Sequence, residues 1–189
     1  MHLASKACCC LLFVSLFSGC ASAAPEGKVC ALPAAPNEAV GGVIRVDAGD
    51  ADGLRVLWQG PSPVHKPNAP SAAWAAASRP QLEALWKQLG RPAPAPEVDF
   101  VRDVVFGVSD EGGICSGKIH GAAIEPSGVI WIRGMPANYG CVDRPTRVAQ
   151  VVALPRRLLP ESVVLVPFEI HRAYAFAVPE LPPPPALAH

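Results

Sequence analysis

The strongest hydrophobic periodicity in the chain is helical and lies between Ser78 and Gly90. Apolar side chains recur there at spacings of i, i+3, i+4 and i+7, so that they share one face of a helix. Ser78 stands at the capping position, Gln81 stands where a capping box needs a glutamine, and Gly90 marks the end. The apolar positions are Leu82, Leu85, Trp86 and Leu89. The pattern predicts one amphipathic helix that packs on a sheet.

Apolar runs of strand length, separated by Gly, Pro and Asp, fill most of the rest of the sequence. The first two runs are expected to pair as a hairpin across the loop 47–53, and a second hairpin is expected across Glu125–Gly128. About seven short strands are predicted from the candidate segments 43–46, 54–58, 72–77, 103–109, 117–124, 129–134, 147–154 and 163–166. The predicted fold class is α+β, a mostly antiparallel sheet with one main amphipathic helix packed on it.

The N-terminus has the organisation of a targeting signal. Lys6 provides a positive start, and the apolar stretch that follows is too short to cross a bilayer. It ends in Phe17-Ser18-Gly19-Cys20, which resembles the bacterial lipobox except that Phe17 replaces the usual leucine. This predicts a lipoprotein acylated on Cys20. Cleavage after Ala23 by ordinary signal peptidase is the alternative, and it would release a soluble protein.

Composition divides the sequence into four predicted segments. Residues 1–19 are the signal peptide and residues 20–39 are an Ala- and Pro-rich flexible tether. Residues 40–174 form a single globular domain, because 189 residues are too few for two large cores. Residues 175–189 carry a run of four prolines and are predicted to be a disordered tail.

The cysteines left after signal removal suggest one disulfide. Cys115 precedes the second predicted hairpin and Cys141 follows it, so the hairpin brings the backbone back to a distance at which the two can pair. In the chain-entropy model, closing a loop of about 25 residues stabilises a fold by roughly 3 kcal/mol. Cys30 is then left unpaired. A zinc site formed by Cys115, His120 and Cys141 is the alternative, but it lacks the fourth ligand of a structural site.

Several function classes receive no support from the sequence. A formal net charge of zero gives no basic excess for nucleic-acid binding. Neither a nucleophile elbow nor a His-Glu-x-x-His, P-loop or dinucleotide motif is present, so no cofactor is predicted. The aspartates of loop 47–53 do not match the spacing of a calcium loop. Asp99 and Asp103 are expected to serve a turn and a strand start rather than acid–base chemistry.

The order of these elements resembles the C-terminal domain of PrcB-type proteins, a family named for a subunit of a protease complex. The similarity covers about residues 72–157, and its matching residues are Leu85-Trp86, Asp99-Phe100, Val104-Val105, Gly112-Gly113 and Val151-Val152-Ala153-Leu154-Pro155. Glu111 and Ile114 stand where the family has Thr and Tyr. The resemblance implies an envelope-located interaction or accessory domain without catalytic residues of its own.

Together these features predict a lipid-anchored cell-envelope protein with a non-enzymatic protein-interaction or accessory domain. The expected location is the outer membrane, facing the periplasm, and the expected partner is an envelope protein such as a protease or an assembly component. A small envelope hydrolase or hydrolase inhibitor is the alternative, and a spacer role in an envelope assembly is a third. Four dispersed tryptophans are expected to pack in the core, with an exposed binding platform as the minority interpretation.

Overall fold

The computed structural model describes residues 26–34, 42–62, 71–92, 94–112, 117–135, 146–168, 170 and 172–178. These residues include a helix, α1 (Arg79–Gln88), and a 3₁₀ turn, Arg156–Leu158. Their ten strands are β1 (Lys28–Cys30), β2 (Ile44–Asp47), β3 (Arg55–Pro61), β4 (Ala72–Ala76), β5 (Asp103–Gly112), β6 (Lys118–Ile124), β7 (Val129–Met135), β8 (Thr146–Pro155), β9 (Ser162–Val166) and β10 (Ala173–Ala177).

The strands form two sheets that pack face to face. The four-stranded sheet has the order β3-β8-β5-β4, and the six-stranded sheet has the order β1-β10-β9-β7-β6-β2. All pairs are antiparallel except β7 and β9, which run parallel. The broad α+β prediction is therefore confirmed, but the described residues form ten strands rather than about seven. The hairpin predicted across Glu125–Gly128 is confirmed as β6 and β7.

The four-stranded sheet is the middle layer of the molecule and is buried on both faces. Along β5, Val104 and Phe106 point into the core shared with the six-stranded sheet, whereas Val105 points towards α1. Phe106 meets Phe176 of β10 edge to face, with ring centroids 5.3 Å apart. This double burial explains why β5 is a nearly continuous apolar run rather than an alternating one.

The apolar face of α1 docks as its periodicity predicts. Leu82 and Leu85 are fully buried, and Trp86 and Leu89 are nearly so. Gly107 of β5 lies directly under the helix, where a Cβ would come within 2.9 Å of a Leu85 methyl. The missing side chain therefore lets the helix approach the sheet closely.

Neither hydrogen bond of the predicted capping box forms at the start of α1. The Ser78 side chain makes no cap hydrogen bond. The Gln81 side chain does reach back, but its Oε1 accepts from the N–H of Ala77, one residue after the end of β4, at 2.8 Å. At the other end, Gly90 has φ +62° and its N–H bonds to the Lys87 carbonyl, as in a Schellman motif.

The hairpin predicted between the first two strands is also wrong. β2 pairs with β6 in the six-stranded sheet, whereas β3 pairs with β8 in the four-stranded sheet. The loop between them passes from one sheet to the other. A loop of this length does not force its flanking strands to pair, and β8 accompanies β3 from Arg55 to Pro61, further than the four-residue β2 could. Asp52 in this loop pairs with Arg102 and Arg157.

Part of the predicted tether belongs to the folded domain. Lys28–Cys30, within the predicted 20–39 tether, pairs with β10, and the Gly27 N–H donates to the Ala73 carbonyl of β4 at 2.7 Å. A three-residue strand is too short to show periodicity, which is why the sequence did not indicate it. Strand β10 likewise extends to Ala177, past the predicted domain end. The predicted signal peptide and the residues beyond 178 lie outside the described residues.

Replacing Gly107 with alanine is expected to destabilise the domain by about 1–2 kcal/mol. Overpacking typically costs about 1–3 kcal/mol, and the lower entropy of the unfolded alanine variant offsets about 0.4–1 kcal/mol of that. Urea denaturation measures the change. In a Leu85→Val background the new methyl has more room, so Gly107→Ala should cost less there. Equal losses in both backgrounds would show that the Leu85 contact is not responsible.

Candidate functional site

The residues predicted for lipidation and the disulfide, Cys20, Cys115 and Cys141, lie outside the described residues. The strand ends that flank the two disulfide candidates are close together: Gly112 and Thr146 are register partners, as are Lys118 and Met135. Because neither cysteine is among the described residues, the Cys115–Cys141 bridge stays a prediction. Cys30 is described and is a half-buried free thiol.

Of the residues considered for metal or acid–base chemistry, His120, Asp99 and Asp103 lie within the described residues, whereas Cys115 and Cys141 do not. Within the described ranges, no group of three or more His, Cys, Asp or Glu side chains could hold a metal ion. His120 is half-buried on β6, where its carbonyl accepts from the Ala48 N–H. Asp99 caps a turn by accepting from the Val101 N–H at 3.0 Å. Asp103 instead forms an ion pair with Arg55 at 2.9 Å, so the two carboxylates serve separate structural contacts.

The tryptophans divide into two groups. Trp74 and Trp86 are buried in the layer between α1 and the four-stranded sheet, which confirms core packing for this pair. Trp58 and Trp131 are half-buried. The Trp131 indole N–H donates to Glu125 at 2.8 Å, and the Trp58 ring is covered by Arg91.

A buried polar cluster joins the two sheets at one end of the molecule. Asp110 of β5 is 1% exposed and Tyr174 of β10 is fully buried. The Tyr174 hydroxyl donates to Asp110 Oδ2, and the Ser71 hydroxyl lies 2.5 Å from Oδ1. Arg172 pairs with the same carboxylate at 3.5 Å. Burial and the Asp110 hydrogen bond raise the pKa of Tyr174 well above its ordinary value, so its phenol keeps its proton as a donor.

Two glutamines form a second connection between the sheets. Gln59 of β3 and Gln150 of β8 are register partners. The Gln59 amide donates to the Gly117 carbonyl and accepts from the Ile119 N–H at 3.1 Å. The Gln150 amide bonds both the carbonyl and the N–H of Phe168 in the same way. These contacts and the Asp110 cluster satisfy buried groups within the protein itself, which is a structural role.

The feature best suited to binding is an open cleft of about 570 Å³ between α1 and the proline-rich segment that follows it. Its volume lies in the range of about 300–1,000 Å³ that ligand pockets occupy. The cleft is lined by Arg79, Glu83, Trp86, Lys87, Gly90, Arg91, Pro94 and Ala95. The first four are on one stripe of α1, because their spacings of four, three and one residues keep them on the same side, and Gly90 follows the end of the helix.

The walls of the cleft are held by hydrogen bonds. Arg79 pairs with Glu83 at 2.8 Å across one helical turn. Its Nη1 and Nη2 also donate to the carbonyls of Pro96 and Ala95, which ties the proline-rich segment to the start of the helix. Near the other end, the Trp86 indole N–H donates to the Pro92 carbonyl at 3.3 Å. Both walls are therefore positioned before any ligand arrives.

Two cations in the cleft have no acidic partner among the residues that the structure describes. The Arg91 guanidinium carbon lies 3.4 Å from the centroid of the Trp58 ring, so this side chain stacks on an aromatic face. Its Nε is buried and has no hydrogen-bond partner within the described residues. Lys87 is exposed in the last turn of α1. The sequence did not indicate this site, because the proline-rich residues after Gly90 are typical of a linker, and the contacts of Pro92, Ala95 and Pro96 with α1 exist only in the folded protein.

No family model matches this protein, and comparisons with curated proteins and with solved structures find no significant relative. The likeness to PrcB-type domains therefore remains a hypothesis based on its motif residues. In the ranges that the structure covers, no helix combines the length and apolar character that a membrane span requires.

Replacing Tyr174 with phenylalanine is expected to destabilise the domain by about 1.5–3 kcal/mol at pH 7, because Asp110 loses a buried donor. The difference from the native protein should shrink above about pH 10. There the unfolded protein loses the phenol proton while the folded native protein retains it, so the native protein loses about 1.4 kcal/mol of stability per pH unit that the variant does not.

Denaturant titrations of both proteins between pH 7 and pH 11 measure this effect. Subtracting the two curves cancels the titration of lysines and cysteines that they share. A difference that stays constant to pH 11 would contradict the stated role of Tyr174.

Proposed function

We propose that this protein is a lipid-anchored envelope protein whose domain binds a segment of another polypeptide in the α1 cleft. The observation that carries the proposal is the cleft itself, which combines an indole and proline lining with two cations that have no acidic partner among the described residues. Apolar contacts with a few placed polar groups are the usual composition of a binding site. Pre-positioned walls reduce the ordering cost of association.

Non-enzymatic binding is favoured over hydrolysis by the placement of the reactive side chains. The buried carboxylate of Asp110 is occupied by Tyr174, Ser71 and Arg172. Among its described lining residues, the α1 cleft has one carboxylate, Glu83, and that group is paired with Arg79. Neither arrangement presents the free acid–base pair that a hydrolase would need.

Two exposed sheet edges provide a second place where a polypeptide could bind. Ile44 on β2 is 44% exposed at the edge of the six-stranded sheet, and Val56 on β3 is 36% exposed at the edge of the four-stranded sheet. An extended segment can add to such an edge. The cleft is preferred because it combines cations with an apolar recess, whereas each edge presents main-chain groups and an exposed apolar side chain on a flat surface.

The proposed anchor places the domain at the membrane surface. Within the described residues, the first contacts with the fold are those of Glu26 and Gly27, which reach β4. Six residues from Cys20 to Glu26 span at most about 20 Å at roughly 3.5 Å each. An acylated Cys20 would therefore hold the domain against the lipid headgroups, and the sequence after the cysteine favours the outer membrane.

Replacing Cys20 with alanine is expected to move the protein from the membrane fraction to the soluble fraction, because the acyl groups supply its membrane affinity. Fractionation of cells followed by immunoblotting measures the distribution. Cys30→Ala is the matched control and should leave the protein in the membrane fraction. Membrane attachment of the Cys20→Ala variant at the native level would contradict lipid anchoring.

A photo-crosslinking amino acid at Pro94, an exposed cleft residue, is expected to form adducts with a second polypeptide in intact cells. Met135, which is 63% exposed at the end of β7 in the other sheet, is the control position. Gel analysis after irradiation should show Pro94 adducts that Met135 does not form. A third probe at Ile44 tests the sheet edge, and adducts there but not at Pro94 would move the binding surface to that edge.

A further inference from the structure

We infer that the α1 cleft recognises a carboxylate of its peptide ligand through Arg91 and Lys87, next to an apolar side chain that packs on Trp86. This inference rests on the proposed binding function of the cleft and adds the chemistry of the ligand.

Arg91 is the main reason for a carboxylate. The Trp58 ring covers the guanidinium from one side, with its carbon 3.4 Å from the ring centroid. Nε is buried and has no hydrogen-bond partner within the described residues, so the two terminal nitrogens are the donors that remain for a ligand. A planar guanidinium with free terminal nitrogens matches the two oxygens of a carboxylate in a bidentate pair. Such pairs are stronger than neutral hydrogen bonds.

The charged residues that line the cleft also favour an anionic ligand. The lining has Arg79, Lys87 and Arg91 against one acid, Glu83. Glu83 and Glu97 both pair with Arg79, and within the described ranges neither Lys87 nor Arg91 forms an ion pair. Three cations therefore face two acids, and the recess keeps a net charge of +1 in a protein whose formal net charge is zero. An anionic ligand is attracted to such a recess, whereas a cationic one is repelled.

The other lining residues indicate which kind of side chain the ligand places next to its carboxylate. Trp86, Pro94 and Ala95 supply apolar surface beside the two cations. The Trp86 N–H is already bonded to Pro92, so the indole presents carbon rather than a donor to the cleft. The favoured ligand is therefore an apolar residue close to a carboxylate. The free C-terminus of a polypeptide and an Asp or Glu side chain both provide that chemistry.

Three peptide probes separate the two sources. They are N-acetyl-Ala-Ala-Phe with a free C-terminal carboxylate, the same peptide as a carboxamide, and N-acetyl-Ala-Glu-Phe as a carboxamide. Isothermal titration of the purified full-length protein in detergent measures each affinity. We expect at least one carboxylate probe to bind about tenfold more tightly than the neutral carboxamide peptide. If the ligand carboxylate is a free C-terminus, the first probe should bind most tightly. If it is an Asp or Glu side chain, the third probe should bind most tightly.

Variants assign the preference to the cleft. Arg91→Ala should abolish it, Arg91→Lys should retain only part because a lysine cannot form the bidentate pair, and Lys87→Gln should weaken it about threefold. Lys118→Gln, an exposed lysine on β6, is the matched control and should leave it unchanged. Circular dichroism checks that each variant is folded. If Arg91→Ala does not fold, Arg91→Lys and Lys87→Gln still decide the question.

Equal binding of the neutral and carboxylate probes, or binding of none, would overturn the inference. So would a preference that survives both Arg91→Lys and Lys87→Gln at full strength. Failure of the proposed function has a different signature, which is the absence of Pro94 adducts in cells. If Pro94 forms those adducts but the cleft shows no carboxylate preference, the proposed binding function stands and the inferred ligand chemistry is wrong.

Discussion

The constraint on which the rest of this structure depends is the burial of the four-stranded sheet on both faces. A strand that is covered on both sides has no face exposed to water, and the apolar residues of β5 from Val104 to Val108 accordingly pack in alternation against the two layers. The same constraint limits side-chain volume, because Leu85 fills the space that a side chain at position 107 would need. A substitution in this sheet therefore affects its packing against α1 on one side and against the six-stranded sheet on the other.

Polar side chains in this middle sheet are placed where they can reach across to the six-stranded sheet. Asp110 lies on the inner face because it continues the alternation of Val104, Phe106 and Val108, and it meets Tyr174 there. Gln150 lies on the same face and bonds the main chain at Phe168. A buried group with such partners costs little, whereas the same group unpaired costs about 1–3 kcal/mol. These contacts therefore fix how the sheets are aligned, which apolar packing alone specifies less sharply.

Sequence patterns predicted the elements whose signals are local and missed those that depend on distant partners. The stripe from Leu82 to Leu89 and the β6–β7 hairpin are confirmed because periodicity and turn residues reside within the segments themselves. The pairing of β2 was misjudged because its partner, β6, is more than seventy residues away in the sequence. The cleft was missed for the same reason: Arg91 becomes part of a site only when it folds onto Trp58.

The backbone path links the proposed anchor to the proposed binding site. Among the described residues, Glu26 and Gly27 are the first to contact the fold, through a bridge to Trp74 and a hydrogen bond to the Ala73 carbonyl of β4. β4 leads directly into α1, so the strand that receives the anchored segment also carries the helix that forms the cleft. With the proposed lipid on Cys20, six residues would separate the membrane from Glu26, and a partner would bind the domain near the membrane surface. Membrane proximity would then raise the effective concentration of other membrane-bound proteins, so that a small cleft of modest affinity could still be occupied.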